Sequence, residues 1–252
     1  SGRYEAVLDA MERAREMPKG KLSPAAVESL YGKTLSMSAS RMDRANSCHF
    51  SYFMRYGLRA KERKSAAFDA PEVGTFVHYL LENVSREVKD LGGYAKVDNT
   101  ALRGLVKKYV DLYAATQIDH FEQKTARFRY LFSRLRSAAY DIIENIADEL
   151  RNSDFAPVAF ELGFGGKDGE LRPITITEGD AKLSLTGKVD RVDGWIHEDK
   201  LYLRVVDYKT GKKAFDLTDV RYGLGLQMLL YLFTFPLFPY QFVIAITYLI
   251  KF

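Results

Sequence analysis

The sequence has very little cysteine, since its 252 residues include only Cys48. A single cysteine cannot form a disulfide bond within the chain, which excludes the class of small secreted proteins held together by disulfides. Residues 1–17 do not have the pattern of a signal peptide, because charged side chains interrupt every apolar run in them. These absences are typical of a reducing compartment, and we expect a cytoplasmic protein.

Two common nucleotide-binding patterns are missing as well. No segment reads GxxxxGK[ST], and no third glycine follows Gly223 and Gly225 at the spacing of a dinucleotide fingerprint. The sequence therefore gives no sign of an ATPase motor. The excess of positive charge is small, with 37 Lys and Arg against 33 Asp and Glu, or +4. That excess permits contact with a polyanion without requiring one.

The most apolar stretch, residues 224–250, is long enough to raise the question of a membrane span. Gln227 and Gln241 interrupt it, and Pro236 and Pro239 divide it into two short elements. We predict a buried helix followed by a buried strand, and we expect no membrane partner.

Hydrophobic periodicity divides the chain into two parts. Residues 1–152 read as a series of helices, one of which carries His78. Residues 153–252 read as a meander of strands, with a long strand over 181–196, a helix over 217–235 and a final strand. We predict an α+β fold in which the two parts form a single domain, truncated at its C-terminus.

The stretch RVVDYKTGKK, residues 204–213, begins as a buried strand and ends in charged residues. Because residues two apart share a face of a strand, Asp207 and Lys209 point the same way. If the preceding strand pairs with this one around a turn at 197–200, Asp190 lies opposite Asp207. Two facing carboxylates repel unless a cation lies between them, and such oxygen ligands suit magnesium, manganese or calcium.

The charged end of this strand has two interpretations. Near a metal, Lys209 could hold a phosphate or orient and deprotonate a water. Alternatively, Asp190 and Asp193 are solvated acids that flank a turn, and Asp207 with Lys209 is an exposed strand end. The residues by themselves leave both interpretations open.

Two helices add further candidates. Gly74 and His78 are four residues apart and share a helical face, so His78 is a metal ligand if the acids form a metal site and a core histidine otherwise. Gln227 and Tyr231 share a face in the same way. They could bind phosphate or sugar oxygens, or they could form the polar edge of a helix packed on the sheet.

Four motifs occur in a fixed order along these elements: GTFVH, GKVDRVD, VVDYKTG and QMLLY. Together they resemble the RecB-like branch of the PD-(D/E)XK nuclease superfamily. The segment LSMSASRMDRANSCHFSYFMRYGLRAKER is similar to the start of the C-terminal nuclease domain of AddB-type helicase–nuclease subunits. The resemblance covers residues 35–232 and implies a restriction-endonuclease-like mixed central sheet flanked by helices, with a helical N-terminal region.

The resemblance implies roles for the residues around the acid pair. His78, Asp190 and Asp207 would ligate Mg²⁺ or Mn²⁺, with help from the Tyr208 carbonyl. Lys209 would orient and activate the water that attacks a phosphodiester bond, leaving a 5′-phosphate and a 3′-hydroxyl.

The resemblance also implies partners. Gln227 and Tyr231 would help to hold a DNA strand, and Glu161 stands where many relatives carry an acid, which makes it a weaker candidate. The longer protein would work with the partner subunit of a helicase–nuclease in recombinational DNA repair.

The sequence departs from this pattern in its cysteines. AddB-type domains carry a four-cysteine iron–sulfur cluster, of which this chain has only the first position, Cys48. The chain alone cannot build that cluster, because it needs about four protein ligands, and we expect Cys48 to be a buried, inert thiol. This departure keeps open an alternative function, a catalytically silent DNA-binding or subunit-assembly module with the same fold.

Overall fold

The computed structural model describes residues 2–16, 20–61, 70–118, 120–166, 169–209, 216–235 and 241–249. Helices dominate the part before residue 152, as predicted. The helices of the described residues are α1 (Gly2–Glu16), α2 (Pro24–Tyr31), α3 (Ala39–Ser47), α4 (His49–Tyr52), α5 (Ala70–Asp90), α6 (Asn99–Gln117), α7 (Ala126–Arg151), α8 (Leu217–Arg221) and α9 (Gln227–Thr234).

The strands form two sheets. They are β1 (Thr34–Met37), β2 (Ala156–Phe164), β3 (Ile174–Glu178), β4 (Ala181–Leu185), β5 (Gly187–His197), β6 (Lys200–Lys209) and β7 (Gln241–Leu249). The larger sheet has the order β2-β5-β6-β7, in which only the β6–β7 pair is parallel. The smaller sheet has the order β1-β4-β3. This mixed α+β architecture confirms the predicted fold class.

The β5–β6 hairpin has the register predicted from the sequence. Its pairs run from His197↔Lys200 to Arg191↔Val206, where the ladder ends one residue before Asp190 and Asp207. The two turn residues both have positive φ, 48° at Glu198 and 58° at Asp199. Two-residue turns of this kind match the twist of paired strands and fix their register.

The prediction of one continuous strand over 181–196 is wrong. It divides at Thr186, so that β4 lies in the smaller sheet and β5 in the larger one. The Thr186 amide donates instead to the Met37 carbonyl at 2.9 Å. Strand β1, inside the otherwise helical first part, pairs in parallel with β4. Alternation of side chains does not reveal a change of sheet, because the period of two is the same in both sheets.

The predicted helix over 217–235 is also two elements, α8 and α9. Gly223 and Gly225, in the connection between them, have φ of 74° and 65°, which a helix does not allow. Helix α3 holds this connection in place, since Asn46 Nδ2 donates to the Gly223 carbonyl at 2.6 Å and the Gly225 amide donates to Asp43 Oδ1 at 2.9 Å. The start of α9 is therefore positioned by a helix from the opposite end of the chain.

Helices cover both faces of the larger sheet. On one face, Val206 and Tyr208 pack into the core formed by α5, α6 and α7. On the other face, Val205 packs with Met228 and Tyr231 of α9. Strand β6 is therefore enclosed on both sides, as expected for a sheet strand with a continuous apolar run.

The apolar stretch over 224–250 contains helix α9 followed by strand β7, as predicted. Pro236 and Pro239 lie outside the described residues, as do the side chains of β7. Among the described helices, none combines the length and hydropathy that crossing a membrane requires.

A buried ion network joins β5, β6 and α7. Arg191, 1% exposed, forms an ion pair with Asp193, which has no exposed surface, at 2.8 Å. Arg204 contacts Asp193 at 2.8 Å and Glu149 of α7 at 2.8 Å. Arg191 Nη1 also donates to the Tyr208 hydroxyl at 2.6 Å. Buried charges are tolerated only when they are paired in this way.

Replacing Arg191 by methionine tests this network. We expect Arg191→Met to lower the free energy of unfolding by about 3–5 kcal/mol, because Asp193 would stay buried with only part of its positive environment. Chemical denaturation measures the change. The matched control is Arg103→Met, which breaks an exposed ion pair with Glu144 and should leave the denaturation midpoint nearly unchanged. Equal midpoints for the two variants would contradict the proposed importance of the network.

Candidate functional site

A cleft of about 490 Å³ lies between α5 and β2. It is lined by residues of α5 together with one acid of β2: Gly74, Thr75, His78, Tyr79, Glu82 and Glu161. Gly74 and His78 both line it, in agreement with the shared helical face predicted from their spacing.

Three residues at this cleft offer ligand atoms within 4.8 Å of one another: His78, Glu161 and Asp190. His78 Nδ1 lies 3.8 Å from Glu161 Oε1 and 3.5 Å from Asp190 Oδ1. These residues come from α5, β2 and β5, so the cluster exists only in the folded chain. The Glu161 carboxylate, with Asp190 beside it, raises the pKa of His78, and partial burial opposes this effect.

Asp190 is the most strongly perturbed acid of the cluster. Burial raises its pKa to about 6; the His78 contact opposes the rise, and the nearby Asp207 carboxylate adds to it. The Tyr208 amide donates to Asp190 Oδ2 at 2.7 Å and stabilises the charged form. A carboxyl group with a raised pKa beside other acids in a cleft is typical of a functional site.

Glu161 is held by positive groups and by an unusual backbone conformation. Burial alone would raise its pKa, but His78 and Lys188 together lower it below the ordinary value. Lys188 Nζ lies 3.0 Å from Glu161 Oε2. Glu161 has a φ of 51°, a left-handed conformation that costs a non-glycine residue about 1–3 kcal/mol. Such strain concentrates at functional sites because the surrounding structure must maintain it.

Asp207 lies next to this cluster and is held from the α9 side. Gln227 Nε2 donates to Asp207 Oδ1 at 2.7 Å, and the Tyr231 hydroxyl lies 3.3 Å from the same oxygen. Tyr231 also donates to the Lys188 carbonyl at 2.8 Å. Lys209 Nζ lies 2.7 Å from Asp207 Oδ2. One hydrogen-bonded and ionic unit at the end of β6 thus comprises Asp207, Lys209, Gln227 and Tyr231.

The structure therefore brings together most of the residues singled out in the sequence. His78, Glu161 and Asp190 form the close ligand set, and Asp207 stands beside them with Lys209. Gln227 and Tyr231, expected at the DNA strand, both contact Asp207.

Tyr208 reaches the site through its backbone. Its amide donates to Asp190, whereas the side chain, 4% exposed, packs among the helices on the other face of the sheet. A contact of the Tyr208 carbonyl with a metal stays a prediction.

One alternative left open by the sequence and one expectation from it are wrong. Asp190 and Asp193 are not solvated acids beside a turn, because Asp193 is fully buried and the Asp190 side chain is 11% exposed. Cys48 is not buried either. It lies exposed between α3 and α4, where its Sγ accepts a hydrogen bond from the Ser51 amide at 3.4 Å. A capping position needs a side chain at the helix surface, which explains the exposure.

Lys188 is a site residue that the sequence patterns did not single out. It lies two residues before Asp190 in the motif GKVDRVD, and this spacing on a strand was the signal that could have identified it. Its contact with Glu161 could not be predicted, because that pair depends on the β2–β5 register.

The cluster fits a divalent metal ion. Its donors are two carboxylates, which suit magnesium or manganese, and one imidazole nitrogen, a donor more typical of transition metals. Glu161, Asp190 and Asp207 bring three negative charges near the cation of Lys188 and that of Lys209. A bound cation would offset the remaining repulsion between the buried acids.

Several known proteins are similar to this chain in sequence. The chain is 35% identical over 208 residues to the ATP-dependent helicase/deoxyribonuclease B subunit of Clostridium tetani, a match that covers 82% of this chain and 18% of that protein. It is 37% identical over 214 residues to the protein of the same name from Clostridium novyi, covering 84% of this chain and 19% of that protein. The chain thus spans about a fifth of the length of these relatives.

A third relative shows the same relation. The protein of this name from Acetivibrio thermocellus is 37% identical over 215 residues, with 82% of this chain and 18% of that protein covered. In addition, the family model described as the PD-(D/E)XK nuclease superfamily matches residues 36–236, which contain the whole cluster around Asp190 and Asp207. The resemblance noted in the sequence is confirmed, and the chain belongs to the PD-(D/E)XK nuclease superfamily.

Proposed function

We propose that this chain is a metal-dependent deoxyribonuclease domain that hydrolyses phosphodiester bonds. The observation that carries the proposal is the convergence of His78, Glu161 and Asp190 in one cleft, with the Asp207–Lys209 ion pair beside them. Membership of a nuclease superfamily supplies the reaction class, and the cluster supplies groups suited to that reaction.

His78, Glu161, Asp190 and Asp207 would hold a magnesium or manganese ion. When bound, the ion would supply positive charge at the scissile phosphate and make the attacking water more acidic. The protein residues contribute fixed positions. The Tyr208 amide orients Asp190, and Gln227 with Tyr231 orients Asp207, so that neither carboxylate has to be reorganised during the reaction.

Lys209 is the residue that would act on the water. Its ammonium group is anchored by Asp207 at 2.7 Å and is 35% exposed, so it is both fixed and accessible. It would orient the attacking water and, after giving up one of its own protons to solvent, accept the proton that the water releases. Lys188, held by Glu161 on the other side of the acids, would add positive charge towards a phosphate oxygen.

The substrate and assembly are part of the same proposal. The relatives are named as helicase/deoxyribonuclease subunits, which favours DNA as the substrate and a helicase–nuclease partner subunit for the longer protein. Repair of DNA in a bacterium would take place in the cytoplasm. With Cys48 as its single cysteine, this chain offers one of the four ligands that an iron–sulfur cluster needs.

Cleavage of a labelled single-stranded oligonucleotide with Mn²⁺ tests the proposal. We expect wild-type protein to cut the strand, and we expect chelation of the metal by EDTA to abolish cutting. Asp190→Asn and Asp207→Asn should each reduce the rate by at least about 10³-fold, because each removes a charged ligand that the metal requires. The matched control is Asp199→Asn, at the far end of the hairpin in the β5–β6 turn, which should keep wild-type activity.

Cutting that survives in both site variants would refute the assignment of the active site. Oligonucleotide binding by the wild-type protein, with no cutting under any metal, would instead support the alternative of a silent DNA-binding module. Circular dichroism spectra of all variants establish that each one is folded.

Lys209→Ala is expected to act on turnover rather than on metal binding. We expect kcat to fall by about 10²–10⁴-fold, the range for loss of a proton-transfer group, while Mn²⁺ affinity changes little. Single-turnover cleavage gives the first quantity and calorimetric titration of Mn²⁺ the second. A variant that loses metal affinity while retaining kcat at saturating Mn²⁺ would show that Lys209 only supports Asp207.

A further inference from the structure

The first half of α7 carries an unusual concentration of positive charge. Between Ala126 and Tyr140 the helix has four arginines, Arg127, Arg129, Arg134 and Arg136, and no acidic residue. Its charge of +4 equals the formal charge of the whole chain, so the remaining charged residues balance one another. An evenly mixed surface would not place the entire excess on one half of one helix.

The four arginines lie along the outer side of α7 in two rows. Successive residues of a helix are rotated by about 100°, so Arg127 and Arg134 fall on one flank, and Arg129 and Arg136 on the other. Between the flanks runs a ridge that contains Tyr130, which is 62% exposed. The opposite side of the helix is buried in the core through Phe132, Leu135 and Ala139.

The four arginines differ from the basic residues of the neighbouring helix α6 in lacking acidic partners. None of the four has an ion-pair partner among the residues that the structure describes, although all are exposed. On α6, by contrast, each basic residue is paired: Arg103 with Glu144, Lys107 with Asp111 and Lys108 with Glu87. Unpaired guanidinium groups remain available for a negatively charged partner.

The arginine face of α7, its exposed side with the four arginines, belongs to a helix that packs on one wall of the cleft. Phe132 of α7 packs against Phe76 of α5, with ring centroids 5.4 Å apart. Phe76 lies two residues before His78, so α7 packs directly on the helix that forms one wall of the cleft. Because this face is turned away from α5, a single strand that contacts both places would have to pass around these helices.

We propose that the arginine face of α7 binds the sugar–phosphate backbone of the DNA strand whose scissile phosphate lies in the cleft. This inference rests on the proposed nuclease function and adds a second contact region to it. Guanidinium groups pair with phosphate oxygens through two parallel hydrogen bonds, and the exposed Tyr130 ring offers a surface on which a base can stack. Such contacts are independent of base sequence and weaken as salt displaces them.

The test compares two sets of substitutions in the full chain. One variant changes Arg127, Arg129, Arg134 and Arg136 to glutamine. The control changes four exposed but acid-paired residues, Lys33, Arg103, Lys107 and Lys108, to glutamine and so removes the same charge. Fluorescence anisotropy with a labelled 30-nucleotide single strand, without divalent metal, gives the affinity at several salt concentrations.

We expect the α7 variant to bind at least about tenfold more weakly than the control. Its salt dependence should be shallower, by about 0.7 in the slope of log K against log salt for each phosphate that the variant no longer binds. Equal affinities and slopes for the two variants would overturn the proposal, because any loss of DNA affinity would then follow from the change in net charge alone. Thermal melting of both variants confirms that the comparison is made between folded proteins.

A small substrate separates this inference from the nuclease proposal. Thymidine 5′-(4-nitrophenyl phosphate) reaches only the cleft, so we expect the α7 variant to hydrolyse it at the wild-type rate with Mn²⁺ while cutting the long oligonucleotide poorly at low concentration. Equal loss on both substrates would overturn the α7 proposal. If wild-type protein cleaves neither substrate but the binding difference remains, the nuclease function fails and DNA binding by α7 stands.

Discussion

The repulsion between three carboxylates that are largely withdrawn from water is the constraint on which this structure depends. Asp190 and Asp207 lie near each other just beyond the last pair of the β5–β6 ladder, and Glu161 of β2 lies beside Asp190. Each carboxylate has its own compensating partner: the Tyr208 amide for Asp190, Gln227 and Lys209 for Asp207, and Lys188 with His78 for Glu161. Burial, together with the nearby Asp207 carboxylate, raises the pKa of Asp190 to about 6, and a bound cation would favour the charged form of this acid.

Strands β5 and β6 carry both the buried ion network that stabilises the fold and two acids of the candidate site. Arg191, one residue from Asp190, forms a buried ion pair with Asp193 and donates to the Tyr208 hydroxyl. The backbone amide of the same Tyr208 holds Asp190. The paired charges thus lock the hairpin against α7, and the acids at its open end are left partly unpaired. A rigid support of this kind allows a strained residue such as Glu161 to persist.

Much of the candidate site could be predicted from local patterns, whereas several elements could not. A two-residue turn fixes the register of a hairpin, so the Asp190–Asp207 pair followed from counting residues. The division of the strand at Thr186 could not be foreseen, because the sheet that each half joins depends on β1, which lies about 150 residues away. The contact of Lys188 with Glu161 likewise requires the β2–β5 pairing.

The sequence by itself determined the family, the α+β class, and the residue types and order that point to metal-dependent phosphodiester chemistry. These properties follow from local spacing, which a linear chain displays directly. Only the tertiary structure decided that Glu161 stands within ligand distance of His78 and Asp190, that α3 positions the start of α9, and that Cys48 is exposed. Each of these depends on contacts between residues distant in the chain, and their geometry is set by how the helices and sheets pack together.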